Sequence, residues 1–333
     1  MNRQATADSL GDFTTNPQSF NRILGVDYNL ASGDGKWTGK AFYHRSFDEN
    51  NEDDQYAMSY WIDYQSLNLR FNFPYVEIGE NYVAETGFVR RTGIRRINPE
   101  VSYFMYPQSN LVNNFGPTME AEYFWDAERK TDHRYRGTLN VNLQNTGRFS
   151  LNFTQEYTYL LDPFDPTNTE SLQLDADTDY TYNTVGFSYS SDFRRRFAFS
   201  LEGSTGQYFN GERTNINGSI LYRTQPYGSI SIDFNYNKIT LPEPYADADL
   251  LLVGPRFDLT LTRSLFWTTF IQYNNQIENI NINSRLQWRF KPVSDLFIVY
   301  TDNYGTFQEN PNDPLLTPKN RALVFKLTYW LNL

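Results

Sequence analysis

Residues 320–333, at the end of the sequence, read Asn-Arg-Ala-Leu-Val-Phe-Lys-Leu-Thr-Tyr-Trp-Leu-Asn-Leu. Apolar or aromatic side chains occupy every second position, at Leu323, Phe325, Leu327, Tyr329, Leu331 and Leu333. Because side chains alternate across a β-strand, this pattern gives one continuous apolar face. A tilted strand needs about 9–11 residues to cross a bilayer, whereas soluble strands have about 5–6. The length therefore favours the membrane-facing last strand of a barrel over the last strand of a soluble sandwich.

The composition of the whole chain combines many aromatic residues with polar hydropathy. Its 333 residues include 25 Tyr and 26 Phe, yet the mean hydropathy is −0.62. This suits a barrel that is apolar outside and polar inside. No run approaches the roughly 18 apolar residues of a transmembrane helix. The sequence lacks cysteine, which excludes disulfides and thiolate metal sites. A net charge of −10 argues against binding to nucleic acid.

The links between alternating segments differ in length. Short links fall at residues 145–147, 192–194, 225–226, 263–264 and 291–294, and long polar links at 47–54, 127–132, 161–179, 206–214, 240–250 and 305–319. A transmembrane barrel has tight periplasmic turns at one rim and long loops at the other, whereas a Greek-key sandwich does not sort its links in this way. We predict an all-β, transmembrane, antiparallel up-and-down barrel of about 16–18 strands, with short periplasmic turns and long extracellular loops.

The directions of the strands predict on which side of the membrane the N-terminal residues lie. If the final strand descends to the periplasm, the strand at residues 20–30 also descends, which leaves residues 1–19 in an extracellular loop. Single-chain bacterial barrels have an even number of strands. We therefore expect residues 1–333 to form one barrel domain that is the C-terminal part of a longer protein, with at least one upstream strand and a periplasmic domain. The alternative is a miscount at residues 80–98, where the alternation breaks.

Four blocks of the sequence resemble one family: residues 21–44, 85–100, 288–304 and the C-terminal strand. Residues 85–100 read Glu-Thr-Gly-Phe-Val-Arg-Arg-Thr-Gly-Ile-Arg-Arg-Ile-Asn-Pro-Glu. The chain resembles the outer-membrane barrel domain of unknown function that follows a family-9-like carbohydrate-binding domain in Bacteroidetes. The resemblance implies a location in the bacterial outer membrane, a missing N-terminal part and a connection to glycans. It implies no established activity.

The segment that breaks the alternation contains four arginines, Arg90, Arg91, Arg95 and Arg96. Guanidinium groups this close repel one another unless acids, water or a ligand compensate. One hypothesis is that the segment folds into the lumen as a plug or constriction, because rings of arginine act so in selective pores. The other is an outer loop whose arginines pair with lipid phosphates or neighbouring acids.

Strand parity predicts which side chains line the lumen. These are Asp233, Arg256, Asp258, Arg285, Arg289 and Lys326. The leading hypothesis is a channel or transport path for a small solute, with glycan-derived molecules as candidates. The alternative is a plugged barrel that anchors or scaffolds a periplasmic carbohydrate-binding domain or an envelope complex, because salt bridges across a lumen can also seal it.

An enzyme is not predicted. The chain has only His44 and His133, and no local signature of a Ser–His pair oriented by a third group. We predict no catalytic residue, metal site or cofactor. The expected partners are outer-membrane lipid, lipopolysaccharide and the barrel-assembly machinery, with glycans or envelope proteins as further candidates.

Overall fold

The computed structural model describes residues 5–7, 13–15, 20–49, 53–85, 87–126, 129–307 and 314–331, the first two ranges by their backbone alone. The strands are β1 (Ala5–Ala7), β2 (Phe13–Thr15), β3 (Asn21–Ala31), β4 (Trp37–Asp48), β5 (Tyr56–Gln65), β6 (Leu69–Ile78), β7 (Ile94–Ile97), β8 (Glu100–Tyr103), β9 (Val112–Asp126), β10 (Arg129–Leu143), β11 (Arg148–Tyr159), β12 (Asp179–Ser190), β13 (Phe197–Tyr208), β14 (Gly211–Thr224), β15 (Gly228–Thr240), β16 (Ala248–Thr260), β17 (Leu265–Asn274), β18 (Asn279–Lys291), β19 (Ser294–Gly305) and β20 (Thr317–Thr328). No helix within those ranges is long and apolar enough to cross a membrane.

Strands β3 to β20 follow one another around a barrel, and their pairing is antiparallel throughout. The predicted all-β, up-and-down architecture of about 16–18 strands is therefore confirmed. Strands β1 and β2 pair only with each other within the described residues. The expected extracellular loop at residues 1–19 otherwise lies outside the described residues.

Strands β7 and β8 occupy one position in the barrel wall. Both pair with β6 on one side and β9 on the other, in a single continuous register. The backbone pairing is interrupted between β7 and β8 because Pro99, and Pro74 on the adjacent strand β6, have no N–H to donate. The eighteen strands of the barrel thus fill seventeen positions. The expected break at residues 80–98 ends earlier, because β7 begins at Ile94.

The predicted alternation of short and long links is only partly correct. Residues 127–132 and 206–214 were expected to be long loops, but only two residues separate β9 from β10 and β13 from β14. At β13 and β14 the strands continue through polar residues, since Gln207 pairs with Glu212 and Tyr208 with Gly211. The ends of strands that extend beyond a bilayer are polar, as loops are. Composition alone therefore did not distinguish these strand ends from loops. The rim at which β4, β6 and β11 end is hereafter the long-loop rim.

The last strand is shorter than predicted. It ends at Thr328, which pairs with Asp295 near the start of β19. Beyond that point the backbone N–H of Trp330 donates to Ser294 Oγ at 3.0 Å instead of continuing the ladder. Tyr329 and Leu331 therefore lie past the strand, and Leu333 lies outside the described residues.

The junction between β20 and β3, hereafter the seam, differs from every other junction. The order of strands brings β20 beside β3. Across the described residues, however, paired positions join β3 to β4 and β20 to β19, and none joins β3 to β20. Every residue of β20 is exposed, as are nine of the eleven residues of β3.

The register divides the barrel into two faces. Directly paired residues share a face, so the pairing can be followed from strand to strand. One face, hereafter the polar face, carries charged, amide and hydroxyl side chains such as Glu122, Arg134, Asn217 and Asp233. The other, the apolar face, carries aliphatic and aromatic side chains such as Ile232.

Candidate functional site

The six residues predicted to line the lumen all lie on the polar face. Pairing runs from Asp233 through Gly254 to the next strand, where Arg256 and Asp258 follow at alternate positions. Asp258 pairs with Thr268, which pairs in turn with Arg285. Arg289 pairs with Asp295, and Lys326 pairs with Phe297 two residues further along β19. That these side chains line a lumen stays a prediction.

Two of these residues form an ion pair with each other. Arg256 Nε lies 2.8 Å from Asp258 Oδ2, and Thr268 Oγ1 donates to Asp258 Oδ1 at 2.9 Å. Arg289 Nε lies 3.2 Å from Asp295 Oδ1. Because both arginines are half exposed, each pair contributes little to stability. Their charges remain available to a polar solute.

A larger charge cluster, which sequence reasoning missed, lies on the polar face of β7, β9 and β10. Arg134 Nη2 lies 2.7 Å from Glu120 Oε1 and 2.9 Å from Glu122 Oε2. Arg96 Nε donates to Glu122 Oε1 at 2.6 Å. The signal was present in the sequence, because Glu120 and Glu122 oppose Arg134 and Arg136 at alternate positions of consecutive strands.

A ladder of asparagine amides extends along the polar face of β14 and β15. Asn217 Nδ2 donates to Asn215 Oδ1 at 3.0 Å, Asn215 Nδ2 to Asn237 Oδ1 at 2.8 Å, and Asn237 Nδ2 to Asn235 Oδ1 at 2.6 Å. Each amide offers two donors and an acceptor. The ladder uses only part of that capacity, so the wall presents further groups for hydrogen bonds.

The described residues between 79 and 93, which are 79–85 and 87–93, fold back against the polar face. Val83 N–H donates to Ser46 Oγ at 3.2 Å, and Asn21 Nδ2 donates to the carbonyl of Val83 at 3.0 Å. Ser46 is fully buried and Tyr82 is 7% exposed. The segment and the strands beneath it line one cavity, whose walls include Phe42, His44, Val76, Phe88, Arg90 and Arg91.

Three of the four arginines that were predicted to form a plug or constriction, Arg90, Arg91 and Arg96, line one cavity, and Arg95 lies apart from them. Arg90 lines the cavity under residues 79–93, and Arg91 Nη2 lies 2.6 Å from Asp126 Oδ2. Arg96 lies on the polar face. Arg95 lies on the apolar face, where its Nη2 is 3.2 Å from Glu77 Oε1. Constriction by any of the four stays a prediction.

Residues 160–178 form a second covering segment, hereafter the mouth loop. Gln276 Nε2, in the link between β17 and β18, donates to the carbonyl of Asn168 at 2.6 Å. Strands β13–β16 lie between that link and the end of the mouth loop at β12. Leu174 and Thr167 of the loop are fully buried or nearly so. The loop therefore reaches across several strands at the long-loop rim.

Asp165 organises the mouth loop. Its carboxylate accepts hydrogen bonds from Thr167 N at 2.8 Å, Thr169 N at 3.0 Å and Ser171 N at 3.0 Å, and from the Thr167 and Ser171 hydroxyls at 2.6 and 3.0 Å. Burial alone would raise the pKa of Asp165. The hydrogen bonds from Thr167 and Ser171 outweigh burial and hold this pKa well below its ordinary value.

The two histidines are not brought together. His44 Nε2 lies 3.9 Å from Asp27 Oδ2 on the polar face. His133 lies on the apolar face, stacked on Tyr157 with ring centroids 4.9 Å apart. Across the described part of the chain, no group of three or more His, Asp or Glu side chains is placed to hold a metal ion.

The apolar face carries the predicted membrane-facing residues of β20. Leu323, Phe325 and Leu327 pair with Tyr300, Ile298 and Leu296, and all six side chains share that face. Aromatic pairs lie near both of its ends. Tyr123 and Trp125 stack near the long-loop rim, while Trp37 and Tyr64, and Trp288 and Phe290, pack together near the opposite rim. Lipid contact by these residues stays a prediction.

Comparison with known proteins gives one family and several solved structures. A family model described as a domain of unknown function (DUF5916) matches residues 24–278. The structure is similar to the siderophore receptor PirA from Pseudomonas aeruginosa, with 12% identity, a TM-score of 0.43 and coverage of 86% of this chain and 67% of that chain. It is also similar to a mutant of the ferric enterobactin receptor PfeA from Pseudomonas aeruginosa, with 7% identity, a TM-score of 0.42 and coverage of 92% and 69%. No curated protein matches the sequence.

Proposed function

This chain belongs to the DUF5916 family of domains of unknown function, and we propose that it is an outer-membrane β-barrel that carries a small polar solute through its interior. The observation that carries the proposal is the separation of two faces around seventeen strand positions. A barrel this wide encloses a channel unless something fills it.

The apolar face supports the membrane location. Aliphatic and phenylalanine side chains such as Ile232 and Phe153 are exposed near its middle, and aromatic pairs lie near its two ends, as on the lipid-facing surfaces of outer-membrane barrels. Tyrosine hydroxyls near the long-loop rim bind carboxylates, as Tyr236 does with Asp249 at 2.7 Å. Such rings suit the boundary between hydrocarbon and headgroups, where one end is apolar and the other hydrated.

The polar face supports a route for a neutral, hydroxyl-rich solute. The ladder from Asn217 to Asn235 offers amide donors and acceptors on the same wall, and these are the groups that sugar hydroxyls bind. Elsewhere on the polar face, Arg256 is paired with Asp258 and Arg134 with Glu120, so the charges within each pair offset one another and attract an ion weakly. A glycan-derived solute is therefore the candidate that the wall chemistry favours.

A plugged anchor or scaffold is the second candidate, because residues 79–93 and the mouth loop both cover part of the polar face. If these segments fill the interior, the barrel serves only to hold a partner at the membrane. Conductance separates the two functions, because a filled barrel passes little current.

The test uses the full-length protein purified from its native membrane and inserted in planar lipid bilayers. A transport path predicts stepwise conductance that a neutral maltooligosaccharide reduces in a dose-dependent way. Asn237→Ala on the polar face is expected to weaken this block, and Ile232→Val on the apolar face to leave it unchanged. Absence of steps from protein that is correctly inserted would exclude the transport path and leave the anchor.

A further inference from the structure

At the seam, the backbones of β3 and β20 are not paired with each other, so the described strands leave the barrel wall incomplete there. Val26 of β3 is 72% exposed and Phe325 of β20 is 64% exposed, whereas Ile232 in the paired wall is 40% exposed. Among the described residues no register pair joins the two strands. Each therefore presents a free edge of backbone N–H and C=O groups.

The direction of the strands explains why the seam stays open. Neighbouring strands alternate in direction, and the wall has seventeen positions because β7 and β8 share one. An odd number of alternating strands begins and ends with strands that run in the same direction. Strands β3 and β20 would therefore have to pair in parallel, unlike all other neighbours in the barrel. A strand that runs the opposite way fits antiparallel to both.

An open edge is not tolerated in a bilayer. Water is absent from the hydrocarbon, so each unpaired backbone group there is costly and spanning sheets are closed. A second copy of this chain inserted in the same orientation does not solve the problem, because its own β3 and β20 run in that same direction.

We propose that one further β-strand fills the seam, antiparallel to β3 and β20, and that it comes from the part of the same polypeptide that precedes β3. This inference rests on the proposed membrane location. Strands that are neighbours in the wall are also neighbours in sequence, so a strand from the chain before β3, other than the paired β1 and β2, extends the pattern. It would complete eighteen positions, an even number. Its side chains would alternate between apolar, beside Val26 and Phe325, and polar.

Cross-linking in the native membrane tests the proposal on the full-length protein. A photoreactive phenylalanine analogue is placed at Tyr28 in β3, or at Phe325 in β20, and the cross-linked peptides are identified by mass spectrometry. We expect both positions to capture the same segment of the same polypeptide, from before Phe20. Capture of a different protein would overturn the assigned source, and capture of β20 by β3 would overturn the extra strand.

Disulfide formation gives an independent measurement, since the chain contains no cysteine of its own. Adjacent strands lie about 4.8 Å apart, so an inserted strand separates β3 from β20 by about 10 Å. A disulfide needs Cα atoms within about 7 Å. Val26→Cys with Phe325→Cys, or with Leu323→Cys or Leu327→Cys, is expected to form none. The paired positions Val26→Cys and Tyr43→Cys are the control that should oxidise. Ready oxidation across the seam would overturn the proposal, whether or not the barrel conducts.

Discussion

Arg134 joins two carboxylates of the barrel wall, and its loss should destabilise the barrel. It is less than a third exposed and contacts both Glu120 and Glu122. Arg134→Gln would leave two neighbouring carboxylates without their shared cation, so we expect the free energy of unfolding to fall by about 1–3 kcal/mol. Urea unfolding in detergent micelles measures this change.

The matched control is Arg136→Gln on the same strand and face, where the guanidinium donates to the Thr154 hydroxyl at 3.2 Å. We expect a cost below about 1 kcal/mol there. Adding Glu120→Gln and Glu122→Gln to Arg134→Gln should recover much of the loss, because the repulsion disappears. Equal losses for Arg134→Gln and Arg136→Gln would contradict the role assigned to the cluster.

Asp165 should make the mouth loop sensitive to acid. Its pKa is lowered in the folded loop, so the stabilisation is fully present above the ordinary carboxyl pKa of about 4 and is lost as the pH falls towards the lowered value. A fluorophore on Leu172→Cys, in a chain that otherwise lacks cysteine, reports the state of the loop. We expect a constant signal from pH 7 to about 4 and a change below it.

The Asp165→Asn variant removes the charge that accepts these hydrogen bonds. Its fluorophore signal should resemble that of the loosened loop already at pH 7, and should vary little with pH. A variant that keeps the pH dependence of the unmodified loop would show that another group controls the loop.

At the scale of elements, the sequence predicted what depends on local alternation. Strands such as β15 and β18 follow from side chains that change face at each residue. The strand ends that depend on pairing with a neighbouring strand were predicted wrongly. Strand β20 ends at Thr328 because β19 offers no further pairing, and β13 continues through Gln207 because Glu212 lies opposite. The charge cluster at Arg134 needed the register between strands, and the position of Arg95 needed the start of β7.

The mouth loop is the element expected to limit conduction. Replacing residues 161–177 with a short Gly-Ser link should raise single-channel conductance severalfold if the loop narrows the entrance. Gln276→Ala, which removes only the hydrogen bond to the Asn168 carbonyl, should give a smaller effect seen as more frequent openings. Unchanged conductance in both variants would place the constriction elsewhere, with residues 79–93 as the next segment to remove.

At the scale of the whole molecule, the two faces of the barrel give neighbouring residues different surroundings, so substitutions at adjacent positions should have different effects on ion selectivity. Arg95 and Arg96 lie at the same depth in β7, on the apolar and the polar face respectively. Both are about half exposed and both pair with a glutamate, Glu77 for Arg95 and Glu122 for Arg96. Any difference between their variants therefore reports which face borders the solute.

Arg96→Gln removes one positive charge from the polar face and leaves Glu122 with Arg134 as its remaining cation, so the reversal potential in a salt gradient should shift towards cation selectivity. The shift should be larger at 0.1 M than at 1 M salt, because the screening length falls from about 10 Å to about 3 Å. Arg95→Gln should leave the reversal potential unchanged, since its field reaches headgroups and lipid rather than the pore. If instead Arg95→Gln changed selectivity and Arg96→Gln did not, the two faces would be exchanged, and with them the lumen assignment of Asp233 and its neighbours.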